Sequence, residues 1–434
     1  ALVLTWTSQS VAQVNDPVRL TLEEAGLVSE RGDVSTPIAL QSSSSIAPRV
    51  SEPVGNGVGL SDLLNLALTQ SPKLSVQRAQ VGQAQMSALA TGLFPNPVVE
   101  GGGKDVSGGD SGLVLGLNQE LPMNGSRKLE RQAAALRHSA ERATLERDVQ
   151  VVFSEIESAY VDILTAQRLV EVDRRGLEIA SDSLRLVSDN YRAGLASSLP
   201  LSLAVSERAN ALKTLKLSEK QVQVARSTLA GLLALDEASL APISGSLDEP
   251  LLPLGLQGGN LDRPDLRAAD LKVQAAQSDT HADRRRRIPN PTLGYQREEA
   301  DDTENFFTIG MEIPIFNSGR LKIQESMASQ QVVSKERSAL VQTIQTEVQT
   351  GSTRLDSARE AVSIYETEIR PSISQSLESA KSAFQSGTTD MSLLLQTQSK
   401  LIENERDYIR ALQELRDAEI AYKLAIGVRK ETVQ

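Results

Sequence analysis

A chain of 434 residues with 3% aromatic residues and a single Trp lacks the large rings that several globular cores require. Its net charge of -11 disfavours a nucleic-acid partner, and the absence of cysteine excludes disulfides and thiolate metal sites. The remaining composition, rich in Ala, Leu, Ser, Gln, Glu and Arg, favours long helices whose seams take small and medium side chains.

The first twelve residues look like the end of a secretory signal peptide, because the apolar residues 1–6 precede the small-residue stretch Ser10, Val11 and Ala12. Residues 13–59, with a serine run at 42–45 and scattered prolines, are expected to be poorly ordered. No run of 18 apolar residues predicts a transmembrane helix, so a membrane anchor would have to consist of β-strands.

The rest of the chain consists of two internal repeats, in which landmark residues of different kinds recur at an offset of 192 to 194 residues. The matching pairs are Pro72 and Pro264, the Pro-Asn-Pro segments at 95–97 and 289–291, Pro122 and Pro314, and Gly194 and Gly387. The predicted organisation is a first repeat over residues 60–235, a linker over 236–260, a second repeat over 261–428 and a tail over 429–434.

Each repeat begins with a helix, predicted over residues 60–92 in the first copy and ended by Pro95 and Pro97. Two strands follow, predicted over 98–104 and 112–121. The second strand of each copy alternates apolar with small or polar residues. Its apolar positions are Leu113, Leu115 and Leu117 in the first copy and Phe307, Ile309 and Met311 in the second.

The alternation fits either a half-buried sheet of a soluble protein or membrane strands with one face toward lipid. The surrounding sequence offers no globular core for the apolar face, which favours the membrane interpretation. Four strands per chain cannot close a sheet, and backbone groups in lipid tolerate no unpaired edge, so the chain must oligomerise. Two copies would give eight strands and three would give twelve, and the pattern alone does not choose between them.

The long helix after each strand pair has apolar residues at alternating steps of three and four, the pattern of a coiled coil. In the first copy it is predicted over 127–190, roughly 95 Å at 1.5 Å per residue, with Asp173 as the one interruption. In the second copy the register slips by one residue beside Pro371. Short turns at 193–199 and 386–390 lead into return helices over 200–235 and 391–427.

This order of repeated motifs resembles the TolC family of outer-membrane efflux proteins over residues 60–428. The resemblance implies a mainly α fold with a small antiparallel β part, in which three copies form a 12-stranded β-barrel in outer-membrane lipid and an α-helical tunnel across the periplasm. It also implies a periplasmic adaptor and an inner-membrane pump, with the adaptor docking at the turns between long and return helices. Those docking residues are Ala193, Gly194, Leu195, Ala196, Ser197, Ser386, Gly387, Thr388 and Thr389.

The segment from Pro122 to Gly125, Ser126 and Arg127 looks like that of heavy-metal efflux members, a hint about cargo. The predicted cargo is a small molecule or a metal ion, and the sequence does not choose between them. A protein-export duct of a type I secretion system is an alternative within the same fold. A soluble coiled-coil scaffold is the alternative from another class.

Asp189 and Asp390 stand beside the two turns, and a threefold assembly would repeat each as a ring of three carboxylates, a candidate cation gate. Ordinary solubility at a loop is the explanation that the weakness of exposed charges favours. The run at 284–287, four arginines, fits either a solvated helix end or contact with headgroups or the lumen.

Catalytic chemistry has no support in the sequence. His138 and His281 have no carboxylate or second His at a metal-binding spacing, and no phosphate-binding glycine motif or nucleophile elbow occurs. The sequence therefore predicts no enzyme, no cofactor and no metal site.

Overall fold

The computed structural model describes residues 57–105, 111–194, 197–251, 263–299, 303–386, 388–389 and 391–427. All of them belong to one structural unit, Gly55–Gln434. The predicted signal-peptide remnant, most of the segment 13–59 and the tail 429–434 lie outside the described residues.

Two helices open the unit where the sequence predicted a single one. Helix α1 spans Leu60–Gln70 and α2 spans Pro72–Ala90. The prediction of one helix over 60–92 is wrong because Pro72 forces the residue before it out of the helical region: Ser71 has φ -59° and ψ 122°. Pro72 itself is well placed at the first position of α2, where no backbone N–H is needed.

The first repeat continues with strands β1, Val98–Asp105, and β2, Ser111–Glu120. Helix α3 then runs without a break for 67 residues, Ser126–Arg192. Gly125 starts it with φ 76°, a left-handed conformation that a side chain would strain. Helix α4, Ser198–Leu232, returns alongside, and a short 3₁₀ turn, Glu237–Ser239, follows.

The second repeat has the same order of elements with one irregularity. Its elements are α5 at Pro264–Arg286, β3 at Pro291–Glu299, β4 at Thr303–Met311, α6 at Arg320–Ile364, α7 at Arg370–Gln385 and α8 at Met391–Ile426. Helices α6 and α7 are joined by a π-helical turn, Tyr365–Ile369. A π turn holds one more residue than an α turn, which confirms the predicted slip of register beside Pro371.

The four strands form one antiparallel sheet in the order β1-β2-β3-β4. Strands β2 and β3 join the two repeats, with Leu115 opposite Arg297 and Leu117 opposite Tyr295. The predicted hairpins therefore lie in a common sheet, and β1 and β4 form its two edges.

Helix α3 is the central element of the helical layer. Helices α2 and α5 pack along its N-terminal half, and α4 and α8 pack along its C-terminal half. Helix α6 packs against α5 and then against α8, which also contacts α7. The repeats are thus interleaved, because α5 and α8 of the second copy both pack on α3 of the first.

The main apolar core lies at the middle of α3. Ile156 and Ile163 of α3 are fully buried there, against Leu63 of α1 and Leu229 of α4. The segment 240–247 covers this core on one side of α3, where the Tyr160 hydroxyl donates a hydrogen bond to the carbonyl of Ser244 at 2.8 Å. Val58, near the end of the segment predicted to be poorly ordered, forms a bridge with Ile243 in this segment.

Candidate functional site

One face of the sheet is apolar and faces outward. Residues directly opposite each other in paired strands lie on the same face, and alternate residues of one strand share a face. The register therefore places all six predicted membrane-strand residues on this apolar face, together with Val99 and Leu293. Phe307 and Ile309 are 84% and 80% exposed in the single chain, and Leu113, Leu115, Leu117 and Met311 are also exposed.

On the inner strands β2 and β3, the opposite, polar face is the less accessible one. Asn118, Gly294 and Thr308 are neighbours there, and a Cβ built on Gly294 would collide with the Thr308 hydroxyl and the Asn118 side-chain oxygen. Positions alternate between exposed on the apolar face and half-buried on the polar face along β3. A water-soluble sheet places its apolar face on a core instead, so this arrangement is the inverse of a soluble one.

The apolar face ends in polar groups beside the loop between β3 and β4. Tyr295 packs against Phe307 with ring centroids 5.2 Å apart, and its hydroxyl donates to Asn305 at 2.7 Å. Arg297 and Glu299 form an exposed ion pair at 3.9 Å. An amphipathic aromatic ring followed by charges is typical of a membrane–water boundary.

Where the sheet meets the helices, the polar face opens into a cavity of about 620 Å³. Asn290 organises it: its side-chain nitrogen donates to Glu120 at 2.7 Å, and its oxygen accepts from the backbone N–H groups of Met123 and Asn124 at 3.0 and 3.2 Å. Glu130 and Arg286 of the helices line the same cavity. The Pro-Asn-Pro motif of the second repeat thus connects the start of β3 to the end of β2 in the first repeat.

The first predicted docking turn, residues 193–197, is an exposed reversal between α3 and α4. Ala193 ends α3, and Gly194 has φ +74° with its N–H donating to the Tyr191 carbonyl at 3.0 Å. Ser197 is exposed and precedes α4 in an extended conformation. Leu195 and Ala196 lie outside the described residues.

The second predicted docking turn, residues 386–390, is closed by hydroxyl groups. Thr388 donates to the Ala383 carbonyl through both its N–H and its hydroxyl, each at 3.0 Å, and Ser386 lies 3.0 Å from the Thr388 hydroxyl. Thr388 is exposed and Thr389 is half-buried. Gly387 and Asp390 lie outside the described residues.

The two hairpins pack on each other close to these turns. Val187 and Ala204 of the first hairpin form a buried cluster with Ala380, Met391 and Leu394 of the second. Asp189, the described member of the candidate gate pair, points away from this cluster with a 63% exposed side chain and lies 3.7 Å from Arg192. Its partner in the prediction, Asp390, is not described.

Asp173, which interrupted the apolar pattern of α3, is a buried junction between the hairpins. Its side chain is 1% exposed, accepts a hydrogen bond from Ser218 of α4 and pairs with Arg406 of α8. A buried charge is tolerated when it is both paired and hydrogen-bonded. The sequence marked the position, but the partners lie 45 and 233 residues away, and no local pattern points to them.

A second acidic site missed by the sequence lies where α3 meets α8. Ser158 donates to Asp417 at 3.3 Å and Gln413 donates to Asp162 at 2.7 Å. Burial raises the pKa of Asp417 to about 6, and the charge of Asp162 adds to the shift. Burial also raises the pKa of Asp162. Asp162 is turned by about 200° from Tyr160, so the pair lies on the side of α3 away from segment 240–247.

The two histidines lie apart on α3 and α5. Burial, with the charge of Arg142, lowers the pKa of His138 below its usual value. Within the described ranges, no cluster of three or more His, Asp and Glu side chains is placed to hold a metal ion. Also within those ranges, no helix combines the length and the apolar composition that crossing a membrane requires.

An outward apolar sheet mounted on a layer of long antiparallel helices defines a class of membrane-anchored protein. The model of the outer membrane efflux protein family matches residues 63–235 and 260–428. The chain belongs to this family. It is an outer-membrane protein that serves efflux, and the TolC-type fold expected from its repeats is confirmed.

Named relatives agree with this assignment. The pyoverdine export outer membrane protein OpmQ of Pseudomonas putida is 24% identical over 407 residues, which cover 85% of each chain. The toluene efflux pump outer membrane protein TtgF of Pseudomonas putida is 31% identical over 224 residues, 48% of this chain and 46% of that one. The crystal structure of the outer membrane protein VceC of Vibrio cholerae has a TM-score of 0.71 at 19% identity, covering 85% of this chain and 96% of that one.

Proposed function

We propose that three copies of this chain assemble into a passive conduit, with their sheets closed into one twelve-stranded wall and their helices into a tunnel. The observation that carries the proposal is the sheet itself. Its apolar face is exposed, and each of its edge strands, β1 and β4, is paired on one side only among the described residues. In lipid each edge needs a partner, and edge strands of neighbouring copies supply it.

The proposal gives each surface of the sheet a role. The apolar face, with Leu113, Leu115 and Leu117 on one side and Phe307, Ile309 and Met311 on the other, contacts outer-membrane lipid. The polar face and the cavity around Asn290 line the path of the cargo. The family is a transport family, and the proposed conduit performs no catalysis.

The test of assembly is the mass of the intact protein in mild detergent. Light scattering corrected for bound detergent is expected to give three times the 46.8 kDa of the protomer. The same sample should conduct ions in planar bilayers. A stable monomer or dimer would refute the threefold conduit.

We further propose that the first turn and the second turn dock a periplasmic adaptor, which connects the conduit to an inner-membrane pump. Support comes from their exposure and from Gly194, whose left-handed backbone allows close approach at the tip. Asp189 would stand as a ring of three exposed carboxylates just above the turn, with Asp390 as its counterpart.

Site-specific photo-crosslinking in cells tests the docking turns. A crosslinker at the exposed Ser197 or Thr388 is expected to trap the adaptor, whereas one at the exposed Arg354 in the middle of α6 is not. Equal trapping from all three positions, or trapping from Arg354 alone, would contradict docking at the turns.

The cargo we propose is a small organic compound. The relatives named for pyoverdine export and toluene efflux favour this over the metal cargo suggested by the segment around Arg127. A strain that lacks the gene is expected to become sensitive to organic toxicants and to retain its resistance to copper and silver. Sensitivity to the metals alone would reverse the assignment.

A further inference from the structure

The end of α5 carries four consecutive arginines, Arg284 to Arg287, whose environments differ. Arg286 is held by ion pairs with Glu130 of α3 at 3.1 Å and with Asp283 at 2.8 Å. The other three are exposed, and their guanidinium groups form no ion pair or hydrogen bond with any residue that the structure describes. Free guanidinium groups of this kind need a ligand or water.

Arg284 and Arg285 lie on the side of α5 away from the polar cavity. Asp279, Asp283 and Arg286 recur at helical spacing and line a groove between α3, α5 and α6. Arg286 also borders the cavity beneath the polar face of the sheet. Arg284 is turned by about 200° from Arg286, so it lies on the opposite side of the helix.

Exposed apolar side chains lie in the connection that Arg287 contacts. The connection from β4 to α6 carries Ile313 and Ile315, 72% and 75% exposed, and Phe316, which is fully exposed. Arg287 lies against this connection, since a Cβ added to Gly319 would be 3.3 Å from the Cγ atom of Arg287. Unpaired arginines beside a band of exposed aliphatic and aromatic side chains are typical of the boundary between hydrocarbon and headgroups.

The arginines belong to the second repeat alone. At the offset of 194 residues, Arg287 and Ile288 correspond to Leu93 and Phe94, which are 63% and 62% exposed. The junction of the first repeat is therefore apolar where that of the second is basic. Around a threefold assembly, three basic positions would alternate with three apolar ones at one height.

We propose that Arg284 and Arg285 bind the phosphate groups of anionic phospholipids in the leaflet nearest the helices. The inference rests on the proposed placement of the apolar face in the membrane, which brings α5 to the level of these headgroups. Charge complementarity selects anionic over zwitterionic lipid, and each arginine near a charged membrane surface favours the anionic lipid by roughly fivefold. The neighbouring apolar band fixes the depth at which the arginines meet the phosphates.

The test uses the intact oligomer in nanodiscs of phosphatidylcholine with a minor fraction of phosphatidylglycerol. After mild extraction, mass spectrometry gives the ratio of the two lipids that remain bound, compared with the ratio in the disc. The wild type is expected to retain phosphatidylglycerol in excess. In R284Q/R285Q the excess should fall at least fivefold, whereas R284K/R285K should keep most of it. Free inorganic phosphate should not displace the lipid.

The matched control is R185Q/R354Q, which removes the same charge from exposed positions on α3 and α6. It is expected to keep the full excess. The lipid site would be overturned if the wild type inserted without a preference for phosphatidylglycerol, or if the control lost the excess equally. Either result would leave the proposed conduit unaffected. Failure of the wild type to insert into any disc would instead overturn the membrane placement itself, and the lipid site with it.

Discussion

Asp173 illustrates what a single residue does in a long helical seam. Its carboxylate joins α3 to α4 through Ser218 and to α8 through Arg406, so three helices from both repeats meet at one buried charge. A buried pair of this kind contributes little net stability compared with apolar residues, but it strongly disfavours any arrangement that separates its members. It therefore fixes how the two hairpins sit against each other.

Removing the partner of Asp173 should be costly. Arg406→Ala leaves a carboxylate that is 1% exposed without its counter-charge, and the expected loss is about 3–5 kcal/mol of unfolding free energy. The double variant D173L/R406L should recover most of that loss. Urea unfolding of the detergent-solubilised protein measures both, and Lys400→Ala, which breaks an exposed pair with Glu403, should change stability by less than about 1 kcal/mol.

Asp417 should make stability depend on pH. Burial raises the pKa of its carboxyl to about 6 in the folded protein, so the fold binds this proton more tightly than the unfolded chain does. The corresponding stabilisation is fully present below about pH 4 and is lost as the pH rises through about 6. Asp417→Asn should therefore be more stable than the wild type at pH 8 and nearly equal to it at pH 4.

Thermal unfolding midpoints at the two pH values measure this difference. The matched control is Asp356→Asn, which changes a carboxylate that is 73% exposed on α6. A gain for Asp417→Asn that is the same at both pH values would show that the carboxylate acts by packing rather than by titration.

At the scale of elements, the sequence predicted what depends on local pattern. The heptad pattern predicted α3 to within a few residues, and glycine and hydroxyl residues marked both turns. Pro72 indicates a break at Ser71, but the apolar pattern on either side of it favoured a single continuous helix, and that prediction was wrong. The burial of Asp173 and Asp417 could not be predicted, because it depends on which helices of the two repeats become neighbours.

The π turn at Tyr365–Ile369 is an element with a testable consequence. Its extra residue lets the apolar stripes of both α6 and α7 face α8, where Tyr408 receives contacts from Tyr365 and Arg370. Deleting the exposed Glu368 should convert the π turn into an α turn and preserve both stripes. The variant is expected to assemble normally.

Deletion of Thr353 in the middle of α6 is the matched control. Thr353 is also exposed, but the α turn around it contains no extra residue. Its deletion therefore rotates the rest of the helix by about 100° relative to α8. The control should fail to assemble when oligomers are quantified by size-exclusion chromatography. Equal failure of both deletions would mean that the π turn does not absorb the extra residue.

At the scale of the whole molecule, one sheet with its apolar side outward determines where the protein resides. The alternation in each second strand was readable in the sequence, and the register adds that both strands present their apolar residues on the same face. How many copies close the sheet was not readable, because closure depends on the angle between edge strands of different chains.

Substitutions at two neighbouring phenylalanines distinguish a sheet whose apolar face contacts lipid from one that is surrounded by water. Phe307 lies on the apolar face and is 84% exposed, whereas Phe306 lies on the polar face opposite Gln296. An arginine on the lipid side costs about 2–4 kcal/mol near the middle of the membrane, so Phe307→Arg should reduce the oligomer recovered from outer membranes. Phe306→Arg, which would face the proposed water-filled path, should assemble and change only the ion selectivity measured in planar bilayers. On a sheet surrounded by water the order would be reversed, because the more exposed Phe307 would accept the charge with less disturbance than Phe306.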